Sequence, residues 1–299
     1  MAGPGIEHWA SFCGERASPR GVRDLIADPR WPDVMRAGLG AGLAHYDTCH
    51  LGAQMFSDAG MVFAGFAALM LDAREELTHS AFRAAASAGG LMSPGRASAM
   101  LARMRATGFV APARTTPDGR VRRYTATDAM VQDFRLRAGM NLSALAVLDD
   151  RAEAILASLE ERDALLEFCR CWGEVQAGPI VSAERIDTPF FQLIERHLAV
   201  TLVTALFISI DEGGEFPRPG LTPFSVLGLA TRLRTSTMQT RRLLEGMAAN
   251  GFVTLAERRI AVTPALVAEA NAFFAIQVIG VAEMAARYLA ARPLIGAAA

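Results

Sequence analysis

SPGRASAMLARMRATGFV, residues 93–110, is the stretch that decides the fold, because the chain contains a second version of it, STMQTRRLLEGMAANGFV, at residues 236–253. Ser93 and Ser236 are 143 residues apart. The leucines, methionines and Gly-Phe-Val triplets that follow keep the same separation. A register held without a gap over the whole stretch indicates a duplicated domain.

Each version of the stretch predicts a capped helix followed by a strand. The opening serine can accept a hydrogen bond from first-turn amides, as helix caps do. Gly108 and Gly251 stand where a helix ends in a left-handed residue, and Phe-Val then begins a strand. Apolar or small residues at helical spacing define the buried face: Ala97, Met100, Leu101 and Met104 in one copy, and Thr240, Leu243, Leu244 and Met247 in the other.

A β-hairpin is predicted after each capped helix. In the first copy Pro117-Asp118-Gly119 is a turn signal, and residues 120–124 form the return strand. The second hairpin is tighter, with residues 254–256 returning through residues 259–262. Further helices are predicted upstream, at residues 77–82 and 221–226. Helix, helix, capped helix and hairpin is the order of a winged helix-turn-helix domain.

On these residues the chain resembles the MarR family of bacterial transcription regulators. The Asp-x-Arg of that family's wing is matched by Asp118-Gly119-Arg120, and the threonine that ends its return strand is matched by Thr127 and Thr263. The resemblance covers roughly residues 61–148 and 188–289, although the second copy has no Asp-x-Arg. It implies double-stranded DNA binding by helix and wing, a helical dimerisation region and often a small aromatic effector.

The predicted fold is mainly α with small β-hairpin wings, in two tandem winged helix-turn-helix domains plus long packing helices. We place an N-terminal helical arm at 1–50, domain 1 at 51–150, a helical connector at 151–186 and domain 2 at 187–299. Thr188-Pro189 predicts a helix start, with the helix continuing from Phe190 to about Ile210. Residues 264–292 predict a long apolar helix. Since MarR proteins are usually homodimers, the resemblance implies a monomer acting as a pseudo-dimer, or a homodimer.

Composition limits the function classes. The net charge of −1 provides no global basic field, so DNA must be held by local arginine clusters. It also argues against a plasmid-type replication initiator, which otherwise joins two winged helices in one chain. Four cysteines do not make a disulfide scaffold, no signal peptide is evident, and the apolar run 61–71 is too short to span a bilayer. We therefore expect a cytoplasmic protein without a membrane partner.

The candidate DNA surface differs between the copies. The outer face of the first capped helix carries small residues flanked by arginines, whereas the second carries arginines directly. The wings have the opposite bias, because the first is rich in arginine and the second has Glu257 near its tip. We hypothesise unlike half-sites, one read mainly by wing and the other mainly by helix. The predicted DNA contacts are Arg96, Ser98, Arg103, Arg114, Asp118, Arg120, Arg122, Arg123, Thr237, Gln239, Arg241, Arg242 and Arg258.

Other chemistry is not favoured by the sequence. His45, Asp47, Cys49 and His50 lie close together but lack zinc-site spacing, and Cys169-Arg170-Cys171 lacks the spacer of a redox motif. Cys13 or Cys49 could serve as an oxidant sensor, as in some MarR relatives. No phosphate loop or nucleophile elbow occurs, so we predict no enzyme activity, cofactor or metal. Four further residues are either core or the lining of an effector cleft: Phe134, Met140, Phe273 and Phe274.

The sequence thus predicts a DNA-binding transcription regulator that works as a single-chain pseudo-dimer. One alternative from another class is a tandem winged-helix scaffold that binds protein rather than DNA. The small residues on the first capped helix and Glu257 on the second wing favour that alternative. An enzyme that uses winged helices only for dimerisation would need a catalytic motif, and none is evident.

Overall fold

A computed structural model describes residues 18–88, 90, 92–113, 122–176, 188–256 and 259–292 of the 299-residue chain. These residues are mainly helical, with two small antiparallel sheets, in agreement with the predicted class. The helices are α1 (Pro19–Ile26), α2 (Trp31–Thr48), α3 (His50–Met55), α4 (Ala59–Ala73), α5 (His79–Ala88), α6 (Pro94–Ala106), α7 (Asp128–Ala146), α8 (Arg151–Ser158), α9 (Arg162–Gln176), α10 (Pro189–Ile194), α11 (Ala199–Ser209), α12 (Val226–Arg232), α13 (Thr237–Ala249) and α14 (Pro264–Ala291). The strands are β1 (Val110–Pro112), β2 (Tyr124–Ala126), β3 (Gly220–Leu221), β4 (Val253–Ala256) and β5 (Arg259–Val262).

The repeated sequence forms the same local structure twice. We call residues 57–127 the first unit and residues 196–263 the second unit. Ser93 caps α6 and Ser236 caps α13, each accepting a hydrogen bond from the backbone three residues later. Gly108 and Gly251 then take φ values of 77° and 72°, in the left-handed region that glycine adopts most easily.

The hairpins close against these glycines in the same way. Thr127 Oγ1 donates to the Gly108 carbonyl at 2.6 Å, and Thr263 Oγ1 donates to the Gly251 carbonyl at 2.7 Å. The first pair in each hairpin is also equivalent, because β1 pairs with β2 through Val110 and Ala126, and β4 pairs with β5 through Val253 and Val262.

The prediction of a helix at residues 221–226 is wrong. Leu221 belongs to β3, where it pairs with Ala261 of β5, and α12 begins only at Val226 because Ser225 caps it. In the first unit Thr78 bridges to Arg123, and α5 likewise begins later than predicted, at His79. Pairing with the return strand therefore holds these segments extended, which their own sequence does not reveal.

The prediction of one continuous helix from Phe190 to about Ile210 is also wrong. The start is confirmed, because Thr188 Oγ1 accepts a hydrogen bond from the Phe191 amide at 3.0 Å. The chain then breaks between α10 and α11, where Leu198 takes a left-handed φ of 63° and donates its amide to the Ser57 carbonyl at 3.3 Å. A tertiary contact thus overrides helical periodicity at a position with neither glycine nor proline.

One hydrophobic core runs through both units. The long helix α2 belongs to this core and packs against α7 and α11. A side chain at Gly38 would press on Ala144, so glycine permits the close approach of α2 to α7. Trp31 joins the end of α2 to α14, where its Nε1 donates to Asn271 Oδ1 at 2.9 Å.

The last helix, α14, is long and apolar enough to cross a membrane by length and composition, and it is the one described helix that passes this test. Core helices of soluble proteins have the same properties. Here α14 packs against α1, α7, α8 and α9 and buries residues along its length, from Leu266 to Tyr288. Contacts within the chain bury 39% of its most apolar stretch, and so account for only part of its apolar character.

Candidate nucleic-acid interface

The second unit presents a basic face on α13. Thr240, Leu243, Leu244 and Met247 of this helix are buried, as the periodicity predicts. Arg241 and Arg242 lie on the opposite, exposed side, and neither forms an ion pair with another described residue. Thr237 is exposed at the helix start, and Gln239 is half-buried with its backbone amide donating to Ser236 Oγ. The helix therefore exposes two guanidinium groups, a side-chain type suited to base and phosphate contacts.

The same helix also exposes an apolar side chain. Met238 is 64% exposed at the second position of α13, one helical turn before Arg241 and Arg242. Glu245 is exposed one turn after Arg241 and adds a negative charge to this face. The face is thus mixed in character rather than uniformly basic.

In the first unit, Arg96 is engaged within the chain. Its Nη2 donates to Asp58 Oδ2 at 2.6 Å, and the Asp58 side chain is only 5% exposed. Asp58 also caps α4 by accepting the Met61 amide at 2.9 Å. Arg96 accordingly neutralises a buried carboxylate, which limits its freedom to contact DNA.

The remaining predicted contacts on α6 are weaker candidates. Arg103 is exposed, whereas Ser98 is half-buried beside the small exposed residues Ala99 and Ala102. A helix with such small exposed residues can approach a DNA groove closely. Of the two arginines predicted to contact DNA from α6, Arg103 is the one that is not paired with a carboxylate among the described residues.

The wings are partly described. Arg123 Nη1 donates to Glu75 Oε2 at 3.1 Å, so this arginine is committed to the first unit, while Arg122 is exposed. Arg114, Asp118, Arg120 and Arg258 lie outside the described residues, as do Glu257 and Cys13. The hypothesis that the first unit binds mainly through its wing therefore stays a prediction.

The two units meet through equivalent turns. Ser57 stands two residues before the start of α4, and His197 stands two residues before the start of α11. The Ser57 hydroxyl is hydrogen-bonded to His197 Nδ1, and the Leu198 amide donates to the Ser57 carbonyl. Burial lowers the pKa of His197, with the charge of Arg103 adding to the effect and Asp58 opposing it. These turns were missed by the sequence analysis because no motif marks them.

Each turn also touches the capped helix of its own unit. Asp58 follows Ser57 and holds Arg96 of α6, whereas the Arg196 guanidinium lies against α13 at Gly246. A side chain at Gly246 would overlap Arg196 Nη1, so glycine leaves room for this contact. The contact between the turns thus connects the two capped helices through a short path.

A buried polar cluster lies between α2, α3 and α7. His45 Nε2 and Asp133 Oδ1 are 2.9 Å apart, and Arg137 Nε donates to Asp133 Oδ2 at 2.8 Å. Burial opposes ionisation of Asp133, but Arg137 and His45 together bring its pKa below the usual value. Arg137 also donates to the Gly52 carbonyl at 3.0 Å, which ties α3 to α7.

This cluster differs from the grouping suggested by the sequence. Asp47 is paired with Arg232 instead, and Cys49 joins His45 and Asp133, with their ligand atoms within 4.8 Å of one another. Those three residues could hold a metal ion, but Arg137 occupies the same carboxylate and would oppose a further cation. Burial and Asp133 raise the pKa of Cys49, which disfavours the reactive thiolate. Cys169 and Cys171 are buried, and burial raises the pKa of Cys169.

A small apolar cavity of about 60 Å³ lies between α2, α7, α11 and α14. Met140 and Phe274 line it, as the cleft interpretation expects, whereas Phe134 is fully buried against Phe56 and Phe66. Phe273 instead packs against Phe190. A cavity that binds benzene measures about 150 Å³, so an aromatic effector would need these helices to move apart.

Comparison with protein-family models, curated proteins and solved structures found no match to this chain. The functional argument therefore rests on its own residues.

Proposed function

We propose that this chain is a DNA-binding transcription regulator in which two winged helix-turn-helix units act as a single-chain pseudo-dimer. The observation that carries the proposal is the pair of exposed arginines on α13, Arg241 and Arg242, which project from a capped helix beside a hairpin. In winged helix-turn-helix proteins a helix in this position enters the major groove. Arginine there can form bidentate bonds to guanine or contact phosphate.

The contact between the two units supports a pseudo-two-fold arrangement. In a two-fold dimer, equivalent residues meet at the axis. Ser57 and His197 hold equivalent positions before α4 and α11, and they are hydrogen-bonded to each other. We therefore place the axis near this contact, with α6 and α13 as the two candidate recognition helices.

The halves of this pseudo-dimer are unlike in chemistry. The second unit has two unpaired arginines on α13 among the described residues. In the first unit Arg96 neutralises Asp58 and Arg105 lies over the Tyr124 ring, so Arg103 is the exposed arginine of α6 without either engagement. We infer that base readout is concentrated in the half-site under α13. The first unit would add mainly backbone contacts, which position the protein without carrying sequence information.

Fluorescence anisotropy with the DNA upstream of the protein's own gene tests this function. We expect binding that exceeds binding to random DNA and weakens as salt increases. Arg241→Ala should cost about 1–3 kcal/mol and relax discrimination if Arg241 contacts a base edge. Arg120→Ala should reduce the salt slope by about one if that wing arginine contacts phosphate. Equal, weak binding of the wild type to both DNAs would contradict the proposal.

A second candidate function is favoured by the exposed apolar side chains of the second unit. Leu227 and Met238 are 66% and 64% exposed, and apolar side chains of this kind make no favourable contact with phosphate. A tandem winged-helix scaffold that binds protein would explain them directly. This scaffold would be favoured if the wild type, Arg241→Ala and Arg120→Ala all bind DNA weakly, with an affinity that does not depend on DNA sequence or salt.

A further inference from the structure

A groove on the second unit joins the start of α12, the side of α13 and the hairpin. Its apolar lining comes from Val226, Leu244, Leu255 and Ile260, and it encloses about 220 Å³. Leu244 and Ile260 are buried beneath it, whereas Leu255 is 41% exposed. An exposed leucine beside an open apolar groove presents surface that water solvates poorly.

Charged groups form the rim of this groove. Arg241 and Arg259 line it together with Glu245, so the described charged residues of the rim carry a net positive charge. Neither arginine forms an ion pair with another described residue. Arg242 is exposed next to Arg241 and extends the positive potential along α13.

The first unit serves as an internal comparison. The residues 143 positions before Leu255, Arg241 and Glu245 are Pro112, Ser98 and Ala102. Across the hairpin, the counterpart of Arg259 is Arg123, which is tied to Glu75 at 3.1 Å. Because both units form the same local structure, the groove chemistry of the second unit is not needed for the fold.

The dimensions and charges define the occupant. Drug-sized ligands occupy pockets of about 300–1,000 Å³, so this groove is suited to one or two side chains rather than an enclosed small molecule. An apolar side chain would cover Leu255, and a neighbouring carboxylate would pair with Arg241 or Arg259. Duplex DNA satisfies the arginines but leaves Leu255 without a partner of its own kind.

We propose that this groove, between α12, α13 and the β4–β5 hairpin, binds an acidic peptide segment of a partner protein that inserts a large apolar side chain beside Leu255. Arg241 serves both this segment and the proposed DNA contact. The segment and DNA therefore exclude one another, which makes the partner a regulator of DNA binding. The peptide site itself stands without the proposed DNA function, whereas the mutual exclusion rests on it.

Selection from a displayed library of random peptides tests the site, with the full-length protein as target. Leu255→Ser is the test variant, and Leu221→Ser is the matched control because Leu221 is 53% exposed but does not line the groove. We expect selected peptides to be rich in aspartate and glutamate around a large apolar residue. Their affinity for the Leu255→Ser and Arg241→Ala variants should be at least tenfold lower than for the wild type. Their affinity for the Leu221→Ser variant should stay within twofold of the wild type.

Two outcomes of the selection would overturn the proposal. One is a selection that yields no peptide dependent on Leu255. The other is a set of dependent peptides that are basic or lack an apolar residue. Circular dichroism of each variant confirms that the fold is retained, which is expected because Leu255 and Leu221 are both exposed.

A DNA-binding measurement on the same variants distinguishes the peptide site from the proposed DNA function. Leu255→Ser should leave the anisotropy with upstream DNA within twofold of the wild type, and a selected peptide should displace that DNA. If Leu255→Ser weakens DNA binding as much as Arg241→Ala does, the groove belongs to the DNA contact and the peptide site is refuted. If no specific DNA binding is seen while acidic peptides bind, the peptide site stands and the regulator function falls.

Discussion

At the scale of single residues, two arginines predicted to contact DNA have different physical roles. Arg96 lies 2.6 Å from the buried Asp58 carboxylate, whereas Arg241 is exposed on α13. Arg96→Ala leaves that carboxylate without its charged partner, which should destabilise the protein by about 1.5–3 kcal/mol. Arg241→Ala should change stability by less than about 0.5 kcal/mol. Urea unfolding of both variants checks this, and equal midpoints would contradict the assigned role of Arg96.

Gly52 lies directly against the carboxylate of the buried polar cluster. A Cβ atom there would overlap Asp133 Oδ1, so Gly52→Ala should displace the carboxylate from His45 and Arg137. We expect a loss of about 1–3 kcal/mol, as for other overpacked interiors. Gly40→Ala is the control, because nothing lies within 4 Å of its Cβ position and alanine favours the helix. A lower thermal unfolding midpoint for Gly40→Ala than for Gly52→Ala would contradict the interpretation of this site.

At the scale of elements, the pattern of each capped helix was predictable because its signals are local. Ser93 and Ser236 mark the starts, Gly108 and Gly251 mark the ends, and the buried faces follow helical spacing. The break at Leu198 and the strand at Leu221 were not predictable in the same way. Both depend on hydrogen bonds to residues far away in the chain, Ser57 for the break and Ala261 for the strand.

The candidate site divides in the same manner. Arg241 and Arg242 could be placed from the helical pattern alone, since exposure on α13 follows from which residues are buried. The engagement of Arg96 could not, because Asp58 precedes it by a whole helix pair and no spacing rule links them. The groove beside Leu255 was missed for a similar reason, since its lining comes from α12, α13, β4 and β5.

The turn before α11 should make stability depend on pH. Burial lowers the pKa of His197, so the folded state disfavours the protonated ring. The contribution is therefore fully present above the unfolded pKa, near 6.5, and is lost as the pH falls through the lower folded value. We expect the urea midpoint to fall between pH 7.5 and 5.5, and to fall less in His197→Gln.

His79→Gln is the control for this titration, because His79 is exposed at the start of α5. His50, whose pKa is also lowered by burial, should leave part of the pH dependence in place in His197→Gln. Identical pH dependence in the wild type and His197→Gln would mean that the contact between the turns does not respond to protonation.

At the scale of the whole molecule, the proposed pseudo-dimer predicts the stoichiometry and symmetry of the DNA complex. One chain carries both candidate recognition helices, α6 and α13, so one chain should occupy a duplex containing two half-sites. Sedimentation of the complex measures this ratio. Two chains on the shortest duplex that binds would show that the chain itself dimerises and that the units are not the two halves of one reader.

The symmetry of the complex follows from the unlike faces of α6 and α13. Bidentate arginine contacts use guanine N7 and O6, so methylation of guanine N7 should interfere with binding in the half-site under Arg241 and Arg242. Interference should be weak in the other half, where Arg103 is exposed and Arg96 is held by Asp58. Arg242→Ala should reduce interference in one half only. A footprint with equal protection and equal interference in both halves would refute the division of labour between the two units.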